Sequence, residues 1–313
     1  MTQVDAIPRA FKERFQTLLG DEYTRFTESL FQPSTHFVRI NTLKVSVPKG
    51  LERLKELGIT PNLLPWYAAG FRISGNYGQL PFTPEYSLGY FYIQEGASML
   101  PAVVLDPKPH HLVLDLCAAP GSKTTQLAQM MENEGAIVAN DRSFRRLTRL
   151  GHNIQLCGVM NVITLCQDGR HLAQRIPLRF DRVLVDVPCT ASGHLRSKPI
   201  QFHIPSPERI SGIQTLQKGL LTSGFRLLKP GGQLVYSTCS LFPEENEAII
   251  HHLLSRFPQA AIIRQSTPGL KVHNGVVEWN TQQFDDTITA CLRVYPHDND
   301  TDGFFIALIR KES

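Results

Sequence analysis

The chain has 313 residues, a hydrophobic fraction of 42%, a charged fraction of 19% and a formal net charge of +4. These ordinary values fit a soluble globular protein and exclude a disordered, collagen-like or coiled-coil chain. The longest apolar runs are interrupted within about ten residues, too short to span a bilayer, and the N-terminus has no apolar signal segment. We therefore expect a cytoplasmic protein without a membrane partner. The charge is compatible with a nucleic-acid partner but does not require one.

The N-terminal unit, 1–95, is predicted to be a small α+β domain. It contains one predicted strand, 37–41, and one predicted helix, 50–57, and the rest is rich in proline, glycine and aromatic residues. This composition differs from the regular alternation of strands and helices in the rest of the chain, so we place a domain boundary near 92–101. The second predicted domain spans 96–313.

From about residue 110, short and nearly all-apolar strands alternate with helices. The predicted strands are 111–116, 135–140, 161–165, 180–186 and 233–236, followed by late strands at 260–264 and 304–309. The predicted helices are 122–131, 144–157, 207–228 and 243–257. This alternation predicts a doubly wound α/β domain with a parallel sheet covered on both faces.

In such a sheet, ligands bind beyond the carboxyl ends of the strands. Five chemically active residues lie at or just past these ends: Asp115, Asp141, Asp168, Asp186 and Cys239. Because the ends of parallel strands meet at one edge, we predict that these residues form one candidate site.

The first loop at this edge is LDLCAAPGSKT, 114–124, in which a strand gives way to small residues and then to a helix. Small residues let a ligand approach the backbone, and a helix N-terminus presents free N–H groups. A phosphate-binding loop would need glycine immediately before Lys123 and again five residues earlier, but Ser122 and Cys117 occupy those positions. The chain also lacks G-x-G-x-x-G, so a nucleoside cofactor without a pyrophosphate fits better than ATP or NAD.

Asp141 and Asp168 follow the second and third strands of this domain. Asp141 is placed like the acidic residue that accepts from ribose hydroxyls in doubly wound folds, and Asp168 is placed to accept from an adenine amine. The alternative for each is a helix cap without a ligand.

Two further loops carry cysteines, DVPCTASG at 186–193 and YSTCS at 236–240. Their strands are predicted neighbours, so Cys189 and Cys239 would face one pocket. A thiol held in an exposed turn beside a cation or a helix N-terminus has a lowered pKa and acts as a nucleophile. The alternative is a buried structural cysteine.

The residues after Cys239 have a structural interpretation of their own. Pro243 suits the first turn of a helix, and Glu244 and Glu245 suit the positive end of its dipole. We therefore predict that they open helix 243–257. The chain has six cysteines and none forms a C-x-x-C pair, so we predict free thiols without a disulfide and no metal centre.

In chain order, LDLCAAPGSKT, DVPCTASG and YSTCS resemble the signature of the Sun-type RNA cytosine-5 methyltransferases. Between them, the acidic residues that bind the cofactor in that family correspond to those in VANDRS and QDG. Segments ahead of the family's catalytic domain resemble RINTLK and YIQEGASMLP. The resemblance covers roughly 35–310. It implies a Rossmann-like domain that uses S-adenosylmethionine to methylate carbon 5 of cytosine in RNA. The family often has glycine where this chain has Ser122, which keeps the loop small.

The resemblance also implies the roles of the site residues. Cys239 would be the nucleophile that adds to carbon 6 of cytosine, Cys189 would assist product release, Asp186 would lie near the cofactor and the base, and Lys123 would help to hold the cytosine. The cofactor set would be Cys117, Ala118, Ala119, Pro120, Gly121, Ser122, Lys123, Asp141, Asp168 and Asp186.

The compact form resembles members that act on transfer RNA, with ribosomal RNA as the alternative substrate. A DNA cytosine methyltransferase would use Cys189 as its nucleophile, and a silent RNA-binding or assembly factor would keep the fold without turnover. We expect a monomer whose N-terminal unit and catalytic rim supply the RNA contacts. The basic residues considered as phosphate contacts are Arg39, Lys44, Arg142, Arg145, Arg146 and Arg149.

Overall fold

The structure is a computed structural model that describes residues 7–196, 202 and 204–313. The N-terminal part contains helices α1 (Arg9–Leu19), α2 (Tyr23–Leu30), α3 (Val47–Glu56) and α4 (Pro84–Ser87), and strands β1 (His36–Ile40), β2 (Ile59–Leu64), β3 (Tyr67–Gly75) and β4 (Phe91–Ile93). The four strands form an antiparallel sheet in the order β2-β3-β1-β4. The predicted strand and α3 are therefore present, within a larger unit than the sequence indicated.

The helices α1 and α2 were not predicted, although their apolar spacing was visible. Phe11, Phe15 and Leu19 recur at four-residue intervals and form the buried stripe of α1. This stripe does not join the small sheet. It packs with Leu241 and Phe242 from the second cysteine loop in one apolar cluster. Helices α1 and α2 thus pack against the loop that carries Cys239.

The second part contains strands and helices in alternation. Its strands are β5 (Leu112–Asp115), β6 (Ala136–Asn140), β7 (Val162–Leu165), β8 (Phe180–Asp186), β9 (Leu228–Thr238), β10 (Ala260–Ile262), β11 (His273–Asn274), β12 (Glu278–Trp279), β13 (Gln282–Gln283), β14 (Leu292–Val294) and β15 (Phe304–Lys311). Its helices are α5 (Leu100–Leu105), α6 (Ser122–Met130), α7 (Phe144–Cys157), α8 (Leu172–Arg175), α9 (Pro207–Leu227), α10 (Glu247–Arg256) and α11 (Pro296–Asn299).

The principal sheet has the order β11-β14-β15-β9-β8-β5-β6-β7, with β10 paired to β15. Strands β5 to β9 are parallel, which confirms the doubly wound, Rossmann-like fold, whereas β14 and β15 are antiparallel to their neighbours. The strand order reverses between β5 and β8, so the loops after these strands diverge and open a crevice. That crevice lies at the edge predicted to carry the site. Among the described residues, no helix is long and apolar enough to cross a membrane.

The predicted start of the helix after Cys239 was wrong. Residues 243–246 form a turn, and α10 begins at Glu247. The Glu244 carboxylate instead forms an ion pair with Arg14 of α1. The Glu245 side chain is fully buried beneath the two cysteine loops. Tertiary contacts, rather than a helix dipole, account for both acidic side chains.

Candidate functional site

The small-residue loop between β5 and α6 is held tightly against the strand ends. The amide of Ala118 donates to the carbonyl of Asn140 over 2.8 Å, and the Asn140 side chain donates to the carbonyls of Leu116 and Gln167. Gly121 has φ +111, and a Cβ there would lie 2.8 Å from Leu150, so glycine is required. The loop therefore lies within a rigid frame built from three strand ends.

Asp115 ends β5 but does not face the crevice. Its carboxylate is fully buried under the loop, where Oδ2 accepts from Thr124 Oγ1 at 2.7 Å. Burial raises the pKa of Asp115 to about 7. Asp115 thus supports the loop from beneath. The prediction that all five strand-end residues form one site is therefore wrong for Asp115.

Asp141 and Asp168 line one narrow cleft beside the apolar side chains of Leu116, Leu216 and Leu220. Asp141 Oδ1 accepts from the Ser143 amide at 2.9 Å, and the residue is nearly fully buried. Its Oδ2 lies 2.9 Å from Arg146 Nη1, in an ion pair that lacks hydrogen-bond geometry. A carboxylate oxygen left in this condition fits a ribose hydroxyl donor.

Asp168 caps a helical turn, as the alternative interpretation of the sequence holds, and it also lines the cleft. Both of its carboxylate oxygens accept from Arg170, and Oδ1 also accepts from the Arg170 amide. The side-chain hydrogen bonds from Arg170 lower the pKa of Asp168 to about 2. The carboxylate is therefore ionised at neutral pH and shares its acceptor capacity between the cap and the cleft.

Lys123 and Asp186 form a charged pair at the switch point of the sheet. Lys123 Nζ donates to Asp186 Oδ2 at 2.7 Å and to Ser98 Oγ at 3.1 Å, while Ser237 Oγ donates to Asp186 Oδ1 at 2.7 Å. The Lys123 side chain is nearly buried, and its ammonium lies 5.3 Å from the Phe304 ring centre. Each charge is thus oriented by partners on other elements.

The two loop cysteines meet, although the prediction that both face one pocket is confirmed only for Cys239, which lines the cavity described below. Cys189 Sγ and Cys239 Sγ lie 3.0 Å apart, and both cysteines are free thiols. The hydrogen bond from Cys189 is the first cause that lowers the pKa of Cys239, to about 6, and the charge and hydrogen bond of His194 act in the same direction. The same contact, with burial, raises the pKa of Cys189 well above its ordinary value. One sulfur is therefore a thiolate at neutral pH, and the other remains its protonated donor.

His194 is the site residue that the sequence interpretation missed. Its Nδ1 lies 2.6 Å from Asp302 Oδ2, and its side chain is hydrogen-bonded to Cys239. Burial lowers the pKa of His194, but Asp302 and Cys239 together outweigh burial and raise it to about 10. The side chains of Cys239, His194 and Asp302 thus form a chain in which a carboxylate holds an imidazolium beside a thiol. This arrangement can activate a thiol as a nucleophile. A histidine five residues beyond Cys189 was the available signal in the sequence.

Glu245 joins the two cysteine loops. Its carboxylate accepts from the Thr190 amide at 2.9 Å, from Ser240 Oγ at 2.6 Å and from Gln217 Nε2 at 3.1 Å, as well as from the Thr190 hydroxyl. Gly193 brings the same loops into backbone contact, since its amide donates to the Cys239 carbonyl and a Cβ there would lie 2.7 Å from that oxygen. These contacts fix the separation of the two thiols.

A cavity of about 410 Å³ connects these groups. It is lined by the loop residues Cys117, Ala119, Pro120, Ser122 and Lys123, by Asp186, His194, Cys239 and Phe304, and by Glu95 and Ser98. Cys117 also borders the narrow cleft of Asp141 and Asp168, so the two spaces adjoin. Two carboxylates thus lie at one end of the joined space and a thiol lies at the other.

Of the six basic residues considered as phosphate contacts, Arg39 was wrong. Its side chain is fully buried and donates to Gln94, Gln129 and Thr125 in the core. Lys44 and the four arginines Arg142, Arg145, Arg146 and Arg149 are exposed. The arginines surround Phe144, whose side chain is 79% exposed at the start of α7. A basic surface with a free aromatic ring is suited to single-stranded nucleic acid.

The family models divide the chain in two. Residues 102–310 match the model described as 16S rRNA methyltransferase RsmB/F, and residues 7–96 match the N-terminal domain of 16S rRNA methyltransferase RsmF.

Two curated relatives cover nearly the whole chain. The tRNA (cytosine(49)-C(5))-methyltransferase of Pyrococcus abyssi is 41% identical over 309 residues, which cover 97% of this chain and 96% of that protein. The Ribosomal RNA small subunit methyltransferase F of Vibrio parahaemolyticus is 39% identical over 311 residues. That match covers 97% of this chain and 63% of the Vibrio protein, so the chain spans less than two thirds of that relative.

Solved structures share the architecture. A methyltransferase homologue from Pyrococcus horikoshii superposes with a TM-score of 0.87 at 37% identity, over 99% of this chain and 98% of the other. NSun6 from Pyrococcus horikoshii, solved with the S-adenosylmethionine analogue SFG, gives a TM-score of 0.83 at 26% identity, over 99% and 100% of the two chains.

Proposed function

This chain belongs to the 16S rRNA methyltransferase RsmB/F family, and from that premise we propose that it methylates carbon 5 of cytosine in RNA. The proposal rests on one observation above the others. Cys239 lines the cavity together with Lys123 and Asp186, and its sulfur lies 3.0 Å from the sulfur of Cys189. Carbon 5 of cytosine is a poor nucleophile. A thiolate that adds to carbon 6 raises the electron density at carbon 5.

The cofactor of this family is S-adenosylmethionine, and residues of this chain fit it. Asp141 would accept from the ribose hydroxyls, Asp168 from the adenine amine, and the loop 117–123 would contact the methionine part. When bound, the cofactor supplies an electrophilic methyl group to carbon 5 of the activated ring.

Activation of the nucleophile follows from the charges around Cys239. The imidazolium of His194, held by Asp302, favours the thiolate, so the attacking form is present before RNA binds. Addition forms the bond between Cys239 Sγ and carbon 6. Lys123 and Asp186 contact the cytosine ring, where Asp186 stabilises the added electron density through the amine or a protonated ring nitrogen.

Release requires loss of the carbon 5 proton and of the Cys239 thiolate. Cys189 is the group placed to take that proton or assist its removal, because its sulfur lies beside the attacking sulfur. The contact with Cys239 is the first cause of the raised pKa of Cys189. Once Cys239 is bonded to carbon 6, that cause disappears and the pKa of Cys189 falls. Its thiol then gives its proton to solvent, and the resulting thiolate accepts the carbon 5 proton.

The RNA must present an unstacked cytosine, because the reactive atoms lie at the bottom of a cavity. We propose transfer RNA as the substrate, since the Pyrococcus abyssi tRNA enzyme is matched along 96% of its length. The exposed arginines of α7 and Phe144 are the proposed backbone and base contacts. Ribosomal RNA is the second candidate, favoured by the family model and the Vibrio relative.

The test is methyl transfer from labelled S-adenosylmethionine to separate pools of transfer RNA, ribosomal RNA and duplex DNA, followed by nucleoside analysis. 5-Methylcytidine in transfer RNA supports the full proposal, and product in ribosomal RNA alone replaces the substrate. Product in DNA alone moves the nucleophile to Cys189. Tight cofactor binding with no product in any of the three pools means that a partner or a structured precursor RNA is missing. RNA binding without cofactor binding favours a silent RNA-binding factor.

A further inference from the structure

A second polar cluster lies where the N-terminal helices meet the C-terminal segment. It brings together two imidazoles, His273 and His297, and two carboxylates, Glu22 and Asp298, with one ligand atom of each within 4.8 Å of the others. None of the four borders the cavity of the cysteines. Glu22 lies between α1 and α2, His273 lies in β11, and the other two lie in α11. Three distant parts of the chain therefore converge on one point.

His297 is the unusual member of this cluster. Its side chain is 2% exposed, and neither ring nitrogen has a hydrogen-bond partner among the described residues. Its Nε2 lies 3.6 Å from Asp298 Oδ2 and 3.7 Å from Glu22 Oε2, which is too far for a hydrogen bond. A buried polar atom without a partner is destabilising, and this one points between two carboxylates. His273 Nε2 and Asp298 Oδ2 share a hydrogen bond of 2.7 Å, so the unsatisfied position of the cluster is at His297, where a ligand is missing.

The carboxylates divide their oxygens between the surface and the cluster. Asp298 Oδ1 faces the solvent-side cations, at 2.6 Å from Lys271 Nζ and 3.5 Å from Arg25 Nη2. Glu22 Oε1 faces the same cations, at 3.5 Å and 4.0 Å. Asp298 Oδ2 and Glu22 Oε2 instead face the two imidazoles. In each acid, one oxygen thus faces the cations Lys271 and Arg25, and the other oxygen faces the ring nitrogens of the two histidines.

We propose that Glu22, His273, His297 and Asp298 bind a structural zinc ion. Two imidazole nitrogens and two carboxylate oxygens are a four-coordinate donor set that suits Zn²⁺, whereas Mg²⁺ and Ca²⁺ prefer oxygen ligands alone. Tetrahedral zinc with bonds of about 2.0–2.1 Å separates its ligand atoms by about 3.3–3.4 Å. The distances from His297 Nε2 to both carboxylates, 3.6 and 3.7 Å, need to contract by only a few tenths of an ångström.

Four protein ligands leave no open position, so the ion would be structural and not catalytic. It would fasten the turn between α1 and α2 to α11. Because α1 packs against the loop that carries Cys239, the ion would stabilise that loop from a distance. Zinc binding and its effect on stability can both be measured without the methyl-transfer reaction.

The experiment uses the full chain, stripped with a chelator and dialysed against zinc alone. We expect one zinc per chain, and a thermal midpoint that rises with zinc concentration because the ion binds only the folded state. Cobalt in place of zinc should give the strong visible absorption of a four-coordinate ion. Glu22→Gln and His297→Gln should each weaken zinc binding about tenfold or more. Asp21→Asn is the matched control, since Asp21 is an exposed acid beside Glu22.

Uptake well below one zinc per chain in the wild type overturns the site. So does equal uptake by the wild type and Glu22→Gln, or an equal loss in Asp21→Asn, because either result means binding by surface charge. Glu22→Gln keeps the size of a side chain that is 31% exposed, so it remains informative if His297→Gln fails to fold.

Discussion

Cys189 Sγ and Cys239 Sγ lie 3.0 Å apart, close enough for one thiol to donate a hydrogen bond to the other. The contact makes the two sulfurs unequal, since it lowers the pKa of Cys239 and raises that of Cys189. The two thiols therefore differ in how readily they lose a proton before any substrate binds, and Cys239 is the proposed nucleophile. The loops that carry them follow adjacent strands, β8 and β9, which is why residues 50 positions apart meet.

Cys239→Ala should abolish methyl transfer and leave no covalent adduct with RNA. Cys189→Ala should instead accumulate an adduct, because addition to carbon 6 proceeds while release fails. The measurement is a denaturing gel of protein incubated with substrate RNA and S-adenosylmethionine. Cys166→Ala is the control, as that thiol is exposed outside the cavity. Normal turnover by Cys189→Ala would remove Cys189 from the mechanism.

The rate of adduct formation should depend on pH through two groups. Cys239 has a folded pKa of about 6 and His194 of about 10, so the pair of thiolate and imidazolium exists between these values. The rate should rise as pH increases through about 6, level off, and fall as His194 loses its proton near 10.

In His194→Gln the imidazolium is removed, so the acidic limb of this profile should move toward the ordinary thiol pKa of about 8.5. Asp302→Asn should produce a smaller movement in the same direction, because the imidazole remains but loses the carboxylate that favours its charge. The profiles are recorded in single-turnover reactions. A limb that stays near pH 6 in His194→Gln contradicts the assignment of this residue.

Asp141→Asn should weaken binding of S-adenosylmethionine by roughly 10- to 100-fold, since a hydrogen bond to a charged acceptor contributes about 1.5–3 kcal/mol. Asn preserves the shape and removes the charge. Isothermal titration calorimetry measures the effect without RNA. Asp21→Asn serves as a control for a surface acid outside the cleft. Unchanged affinity would mean that Asp141 only accepts from the Ser143 amide in the turn before α7, whose cap is Ser143, and does not bind the cofactor.

Arg39 and Arg145 should respond to alanine in opposite ways. Arg39 is fully buried and donates to Gln94, Gln129 and Thr125, so Arg39→Ala should lower the free energy of unfolding by about 1–3 kcal/mol for each buried partner left unpaired. Arg145 is exposed, so Arg145→Ala should leave stability nearly unchanged and weaken RNA binding with a reduced salt dependence. Urea unfolding and binding titrations at several salt concentrations separate the two effects.

The sequence was sufficient for the parallel strands and for the meeting of the cysteines, because apolar strand runs and strand-end loops are local patterns. It was not sufficient for His194 and Asp302, which lie 108 positions apart and meet only because β15 runs antiparallel beside β9. Phosphate contact by Arg39 was a reasonable prediction from charge, yet the small sheet buries that side chain. Contacts between distant segments decided each of these differences.

Glu245 provides the sharpest test of how the cysteine loops are held. Glu245→Gln keeps the volume but replaces one acceptor oxygen with an NH₂ group. If that group faces the hydroxyls of Thr190 and Ser240, both must turn from donor to acceptor, and if it faces the Thr190 amide and Gln217, donor meets donor. Because the site is fully buried, the free energy of unfolding should fall by about 1–3 kcal/mol, and adduct formation should slow as the thiols separate. Glu244→Gln, whose ion pair with Arg14 lies outside the cavity, should lose stability without slowing adduct formation in the folded enzyme. Equal effects of the two changes on adduct formation would mean that Glu245 stabilises the fold but does not position Cys239.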